Sequence, residues 1–211
     1  MCARFYFPGN PPIRDIFRLF DDSEIEEMPN VAPTMFAPSI FLNDGQESWR
    51  MMKWGFVPSW RKADEQVVPL INARCESLAE KPTFREAYRG RRCVLPAGGF
   101  YEWKGEGRTK QCHWVGLPNH QSFGLAGVYE EWQGIESFAI VTADSNSQMM
   151  EFQPRMPVML RGGAIEAWLR SEPGPELDYL MQTPDWELDI YPIDSPKNGP
   201  RRGGAQASLF E

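Results

Sequence analysis

Arg91-Arg92-Cys93-Val94-Leu95-Pro96-Ala97-Gly98-Gly99-Phe100-Tyr101-Glu102-Trp103-Lys104 is the stretch on which the fold turns. Residues 91–96 and 99–104 each read as a short strand, rich in β-branched or aromatic side chains and separated by a glycine pair. On either side, similar runs occupy 48–54, 111–116, 122–129 and 136–143, with 187–193 near the end. Helical spacing is rarer. Ile13, Ile16, Phe17 and Phe20 follow Pro11-Pro12 and predict a short amphipathic helix. Ile165, Trp168 and Leu169 predict a second helix, and 175–182 a third. The expected fold class is α+β: mainly short antiparallel strands in a barrel-like or bifurcated sheet, with a few short helices. Residues 1–194 are expected to form one domain, followed by a flexible basic tail over 195–211.

Composition narrows the function classes. The 211 residues suffice for one substantial core, and 42% hydrophobic residues with eight Trp exclude a disordered chain. Nineteen Pro and eighteen Gly keep the elements short. No apolar run approaches the ~18 residues of a membrane helix, and no signal peptide is visible, so no membrane partner is expected. Cys2, Cys75, Cys93 and Cys112 lack CxxC spacing, and only two His accompany them. No metal, cofactor or disulfide framework is expected, and a reducing cytoplasm fits best. The net charge is −7, yet residues 85–110 hold seven cations against three carboxylates, so that segment is +4 and the rest −11. Such a segment reads either as a local phosphate-contacting face or as a mixed solvated surface.

The chemistry starts at Cys2. Loss of Met1 would leave an N-terminal cysteine, with an amine and a thiol on adjacent carbons. A 1,2-aminothiol condenses with an aldehyde to an imine, which the thiol closes to a five-membered thiazolidine. The α-amine, with a reference pKa of about 7.7–8.0, is partly neutral and nucleophilic at pH 7, unlike lysine at about 10.4. The bland alternative is an ordinary residue near a terminus.

Further motifs follow in order: Asn30-Val31-Ala32-Pro33, Trp54-Gly55-Phe56-Val57-Pro58-Ser59-Trp60, and Ile71-Asn72-Ala73-Arg74-Cys75-Glu76-Ser77. After the 91–103 stretch come Leu125-Ala126-Gly127-Val128-Tyr129-Glu130, Phe138-Ala139-Ile140-Val141-Thr142 and Arg155-Met156-Pro157-Val158-Met159-Leu160. With Met1-Cys2-Ala3-Arg4-Phe5 at the start, the set resembles the SOS response-associated peptidase (SRAP) family over residues 1 to 161. The resemblance implies a sheet framework around a single-stranded DNA groove. It also implies removal of Met1, by self-cleavage in the family's usual account, and capture of an abasic-site aldehyde as a thiazolidine. Carried over by position, Cys2 is the nucleophile, Asn72 and Glu102 border it, and Arg74 contacts DNA.

The side chains suit those roles on their own terms. Glu102, a lone carboxylate among aromatics, suits proton transfer if desolvation raises its pKa; an edge carboxylate facing water is the alternative. Asn72 donates and accepts without changing charge, or forms a turn. Arg4, Arg74 and Arg155 offer phosphate-matching guanidinium groups, or surface ion pairs. Trp54 and Trp60 offer faces for bases or pack in the core. Pro33 is a wedge beside the lesion or a plain turn residue.

The pattern breaks twice. Ala3 stands where the family usually has Gly. Gln153 stands where the family usually has a His, two residues before Arg155-Met156-Pro157. Gln cannot carry a proton at neutral pH, and His113 and His120 occupy no matching position. Two other readings stay open: a thiol peptidase using Cys2, weakened by the absence of a motif-matched His, and a catalytically weakened reader of single-stranded DNA, which Gln153 favours. A monomer is expected. At the end of the tail, Gln206, Leu209 and Phe210 resemble the short peptides by which repair proteins dock on a bacterial sliding clamp, with fraying or fold-back as the alternative.

Overall fold

The two runs flanking Gly98 form strands, but they enter different sheets. The computed structural model describes residues 2–9, 25–62, 66–183 and 185–200. The predicted helix over Ile13–Phe20 and the tail residues Gln206, Leu209 and Phe210 lie outside the described residues. The strands are β1 (Phe5–Phe7), β2 (Met28–Val31), β3 (Phe36–Asn43), β4 (Gln46–Trp54), β5 (Asn72–Arg74), β6 (Arg92–Ala97) and β7 (Gly99–Lys104). They continue with β8 (Gln111–Gly116), β9 (Phe123–Trp132), β10 (Ile135–Asp144), β11 (Arg155–Pro157), β12 (Met159–Leu160) and β13 (Asp189–Ile193). One sheet runs β13-β8-β7-β1-β2; the other runs β11-β10-β4-β3-β6-β9-β12, with β5 added on β10.

The glycine pair makes this divergence possible. A Cβ on Gly98 would sit 2.8 Å from the Tyr6 ring, and one on Gly99 would sit 2.3 Å from the Trp114 ring. Both aromatic rings press directly on bare backbone, which only glycine allows.

The larger sheet is forked at β10. Phe138 pairs with Tyr129 of β9 on one edge and Trp54 of β4 on the other. Further along, Thr142 pairs with Pro157 of β11 and Arg74 of β5. Each edge of β10 thus changes partner midway, which gives the bifurcated, barrel-like form without a true closed barrel. The contacts of β10 with β4 and β5 are parallel, and the other pairings of both sheets are antiparallel.

Alternation along β1 divides the interior into two clusters. Phe5 and Phe7 face the large core with Trp54, Phe56, Phe100 and Phe138. Tyr6 faces a smaller cluster with Tyr101, Cys112, Trp114 and Ile193. Of the three helices among the described residues, α1 (Arg85–Gly90) is not legible from spacing, because its apolar face is only Ala87 and Tyr88. The other two lie where spacing places them: α2 (Gly163–Arg170), burying Ile165, Trp168 and Leu169, and α3 (Pro175–Leu180).

Several cations of the basic segment 85–110 already have partners within the protein. Arg92 is buried, and its guanidinium donates to the carbonyls of Trp168 (2.6 Å), Ser171 (2.6 Å), Arg89 (3.2 Å), Leu169 (3.4 Å) and Tyr88. Arg91 pairs with Glu130 at 2.6 Å, Arg85 and Arg89 with Glu86, and Lys104 with Glu151.

Candidate functional site

Cys2 is drawn into the interior by the strand that follows it. β1 pairs with β7 through Phe5 opposite Phe100, and the Tyr101 amide extends the pairing by donating to the Arg4 carbonyl at 3.0 Å. Cys2 is consequently fully buried, with its thiol 3.8 Å from the Arg4 carbonyl. From the other sheet, Asn72 at the start of β5 donates through Nδ2 to the Cys2 carbonyl at 2.9 Å. The Asn72 Oδ1 is buried and accepts no hydrogen bond from the described residues. Cys2 thus sits in the seam where the two sheets meet.

Glu102 enters that seam from β7. Phe100 and Glu102 point to the large core, whereas Tyr101 and Trp103 point to the small one. Glu102 is only 3% exposed, and burial pushes its carboxyl up to about 6. Burial raises the Cys2 thiol well above its usual range, and the neighbouring Glu102 charge adds to the rise. Burial also pushes Cys75 and Cys112 up to about 11. Every one of the four cysteines is free.

Gln153 is half-buried, in a short turn anchored by its own amide on the Met149 carbonyl at 3.0 Å. That turn docks on the end of β7 and β8. Lys104 lies 3.2 Å from Glu151 and over the Phe152 ring, and the His113 ring meets Phe152 edge-on at 5.0 Å. The fold therefore brings Cys2, Asn72 and Glu102 together and sets the Gln153 turn on the same pair of strands as Glu102.

The expected DNA-contact residues separate into two groups. Arg74 is exposed and makes no side-chain hydrogen bond or ion pair with described residues. Trp60 is 59% exposed, with the Arg61 guanidinium 4.8 Å from its ring. Arg4 donates to Asn30 Oδ1 at 3.2 Å. Pro33 occupies the second position of a tight turn, closed by the Met35 amide on the Ala32 carbonyl at 3.1 Å. Thr34 follows in the left-handed region at φ 76°, a strained conformation for a β-branched residue. The turn lifts Met35 (39% exposed) and Phe36 (46%) into solvent. Sequence reading misses these two, since an apolar pair opening a strand looks like core.

Two expectations need correction. Trp54 offers no face to a base: it is fully buried, stacked on Phe138 at 6.1 Å, with its Nε1 donating to the Ile71 carbonyl at 2.8 Å. Arg155 is likewise committed to the protein, bridging Glu76 and Asp144 at 2.9 Å each and donating to the Thr142 carbonyl. Its side chain keeps 13% exposure. The Arg155 contact also holds the Glu76 carboxyl down at about 2.

The model of the SOS response associated peptidase (SRAP) family matches residues 1–198. The chain belongs to that family. Among curated relatives of this SRAP protein, abasic site processing protein YoaM of Bacillus subtilis is 31% identical over 98% of this chain and 96% of its own. YoqW, also from Bacillus subtilis, is 32% identical over 98% of each chain. Abasic site processing protein HMCES of Xenopus tropicalis is 25% identical over 81% of this chain and 60% of its own. A crystal structure from Bacteroides thetaiotaomicron matches with TM-score 0.72 and 29% identity, covering 80% of this SRAP chain and 81% of that one. Another, from Bordetella bronchiseptica, shares the fold alone: TM-score 0.77 at 19% identity, over 92% and 100% of the chains.

Proposed function

We propose that this protein processes abasic sites in single-stranded DNA by crosslinking itself to them through Cys2 once Met1 is gone. The observation that carries the reading is the seam itself: residue 2 buried between an amide on one sheet and, on the other, a carboxyl raised to about 6. The names of the relatives support abasic sites as the substrate. The Cys2 amine adds to the ring-opened aldehyde to give a carbinolamine. Protonated Glu102 delivers its proton to the departing hydroxyl, which leaves as water and gives an iminium ion; the thiol then adds to the iminium carbon and its proton returns to the Glu102 carboxylate. The buried Asn72 Oδ1 is an acceptor for the amine or for a sugar hydroxyl. Arg74 and Trp60 supply an exposed cation and an exposed ring for phosphate and base.

The raised thiols weigh against the thiol-peptidase reading, because that chemistry needs a thiolate and here the neutral thiol is favoured. An amine-first reaction makes no such demand. Among the described residues no helix is long and apolar enough to cross a membrane, and the reading places the protein beside DNA in the cytoplasm. It also assigns Gln206, Leu209 and Phe210 as a sliding-clamp peptide. A peptide of residues 200–211 should bind a bacterial clamp and lose binding when Leu209 and Phe210 become Ala; indifference to those changes removes the assignment.

The deciding experiment is a denaturing gel of the protein with abasic single-stranded DNA, after intact mass has established the N-terminus. Processed protein should give a band that survives denaturation. Protein retaining Met1 should give none, and Cys2→Ser should give only a reversible adduct. A stable crosslink from the Met1-retaining form would overturn the mechanism, since an amine locked in a peptide bond cannot form an imine.

A further inference from the structure

We propose that the cleft between α1, α3 and the turn Cys75–Ser77 binds a short, linear alkyl diamine. The cleft has a volume of about 280 Å³, close to the ~300 Å³ at which small-molecule sites begin. Tyr88 from α1, Met181 at the C-terminal end of α3, and Cys75 give it an apolar lining; Glu76, Glu80 and Asp178 give it carboxylates. It contains none of Cys2, Asn72 and Glu102, so the proposal stands apart from the crosslinking reading.

Two independent observations converge on a cation. The first is an orphaned hydroxyl. Tyr88 is 2% exposed, and its buried hydroxyl meets no donor or acceptor among the described residues. Such a group is costly unless something fills it. Among charged groups Asp178, across the cleft, acts most strongly on this phenol. Burial is the larger influence, and both keep the phenol neutral, so its oxygen remains an acceptor. The second observation is charge. No Lys, Arg or His is among the described residues that line the cleft. Arg155 answers Glu76 from outside it at 2.9 Å, whereas the Glu80 and Asp178 side chains form no hydrogen bond or ion pair with described residues. A protonated amine satisfies both conditions: it donates to the phenol oxygen while Asp178 neutralises its charge. Glu80 then answers a second ammonium, and the methylenes between the two lie against Met181, the Tyr88 ring and the Cys75 thiol, which burial pushes up to about 11 and so keeps neutral. A metal ion is a poor match, because no three His, Cys, Asp or Glu side chains among the described residues cluster closely enough to hold one.

The test is isothermal titration calorimetry of the full chain with butane-1,4-diamine, beside butane-1,4-diol and sodium chloride at matched ionic strength. The diamine should bind saturably, one molecule per chain, and the diol and the salt should not. Tyr88→Phe keeps the ring beside Trp168 and removes only the hydroxyl; it should weaken binding about tenfold or more. Asp178→Asn, at an exposed position, should do the same, and it carries the test alone if Tyr88→Phe fails to fold. Glu80→Gln should lower the affinity for the diamine to that for butan-1-amine. Heat that does not saturate, equal binding of the diol, or an unchanged affinity in folded Tyr88→Phe or in Asp178→Asn overturns the site. Neither result involves DNA or Cys2, so failure here leaves the crosslinking reading standing.

Discussion

Arg92 and Glu102 stand ten positions apart in one stretch, both ionisable and both buried, yet they do opposite things. The Arg92 guanidinium is surrounded by five backbone carbonyls at the C-terminal ends of α1 and α2. Those carbonyls lack partners within their own helices, and the negative end of each helix favours a cation there. Burial lowers the guanidinium from its usual value, but the accepting carbonyls hold the charge in place and the group is structural. Glu102 faces the seam beside the Cys2 thiol, where burial is the largest influence and favours its neutral form, against the Trp103 amide and the Lys110 charge. Burial favours the neutral form of both groups, but a guanidinium starts far above neutrality and stays charged, whereas the carboxyl is brought to about 6, where it can exchange a proton near neutrality.

The most severe test of this contrast is Glu102→Gln, which keeps the shape and removes the proton. Crosslinking should fall about 10²–10³-fold. A rate near wild type would show that Glu102 is not the acid. Arg92→Met should do the reverse: a loss of about 3 kcal/mol in denaturant unfolding, with the crosslinking rate per folded molecule nearly unchanged. A silent Arg92→Met in unfolding would mean that water serves those carbonyls equally well.

A smaller effect separates the two sites by pH. The Glu102 carboxyl is raised in the folded chain from 4.5 to about 6, so folding favours the protonated form. Its contribution to stability is full below 4.5 and is lost as pH rises through about 6. Each tenfold gain in proton affinity is worth about 1.4 kcal/mol. Wild type should therefore lose roughly 2 kcal/mol relative to Glu102→Gln between pH 4.5 and 7. Parallel stability curves for the two proteins would show that Glu102 is well solvated. Arg92→Met should track wild type across the same range.

Much of this can be read along the chain. The strand runs, the two C-terminal helices and the order of motifs from Cys2 to Arg155 follow from side-chain alternation and local spacing, which each segment carries by itself. Cys2 stands out because the chemistry proposed for it depends on its place beside Met1. β1, β2, β5, β11 and β12 escape such a reading because strands of two to four residues hold too few alternations to register, and β3 escapes it because Pro38 interrupts the run.

Which side chains share a face, and which are already occupied, is settled by tertiary structure alone. Trp54 and Trp60 look alike in sequence, yet the first fills the core beside Phe138 and the second stands in solvent. Arg74 and Arg155 look alike, and only Arg155 finds Glu76 and Asp144. Strand register sets His113 opposite Glu102, although they stand eleven positions apart along the chain. Local sequence determines propensity and chemical type. Burial, register and ion pairing depend on residues far away in the chain, so they exist only once the two sheets have met at Cys2.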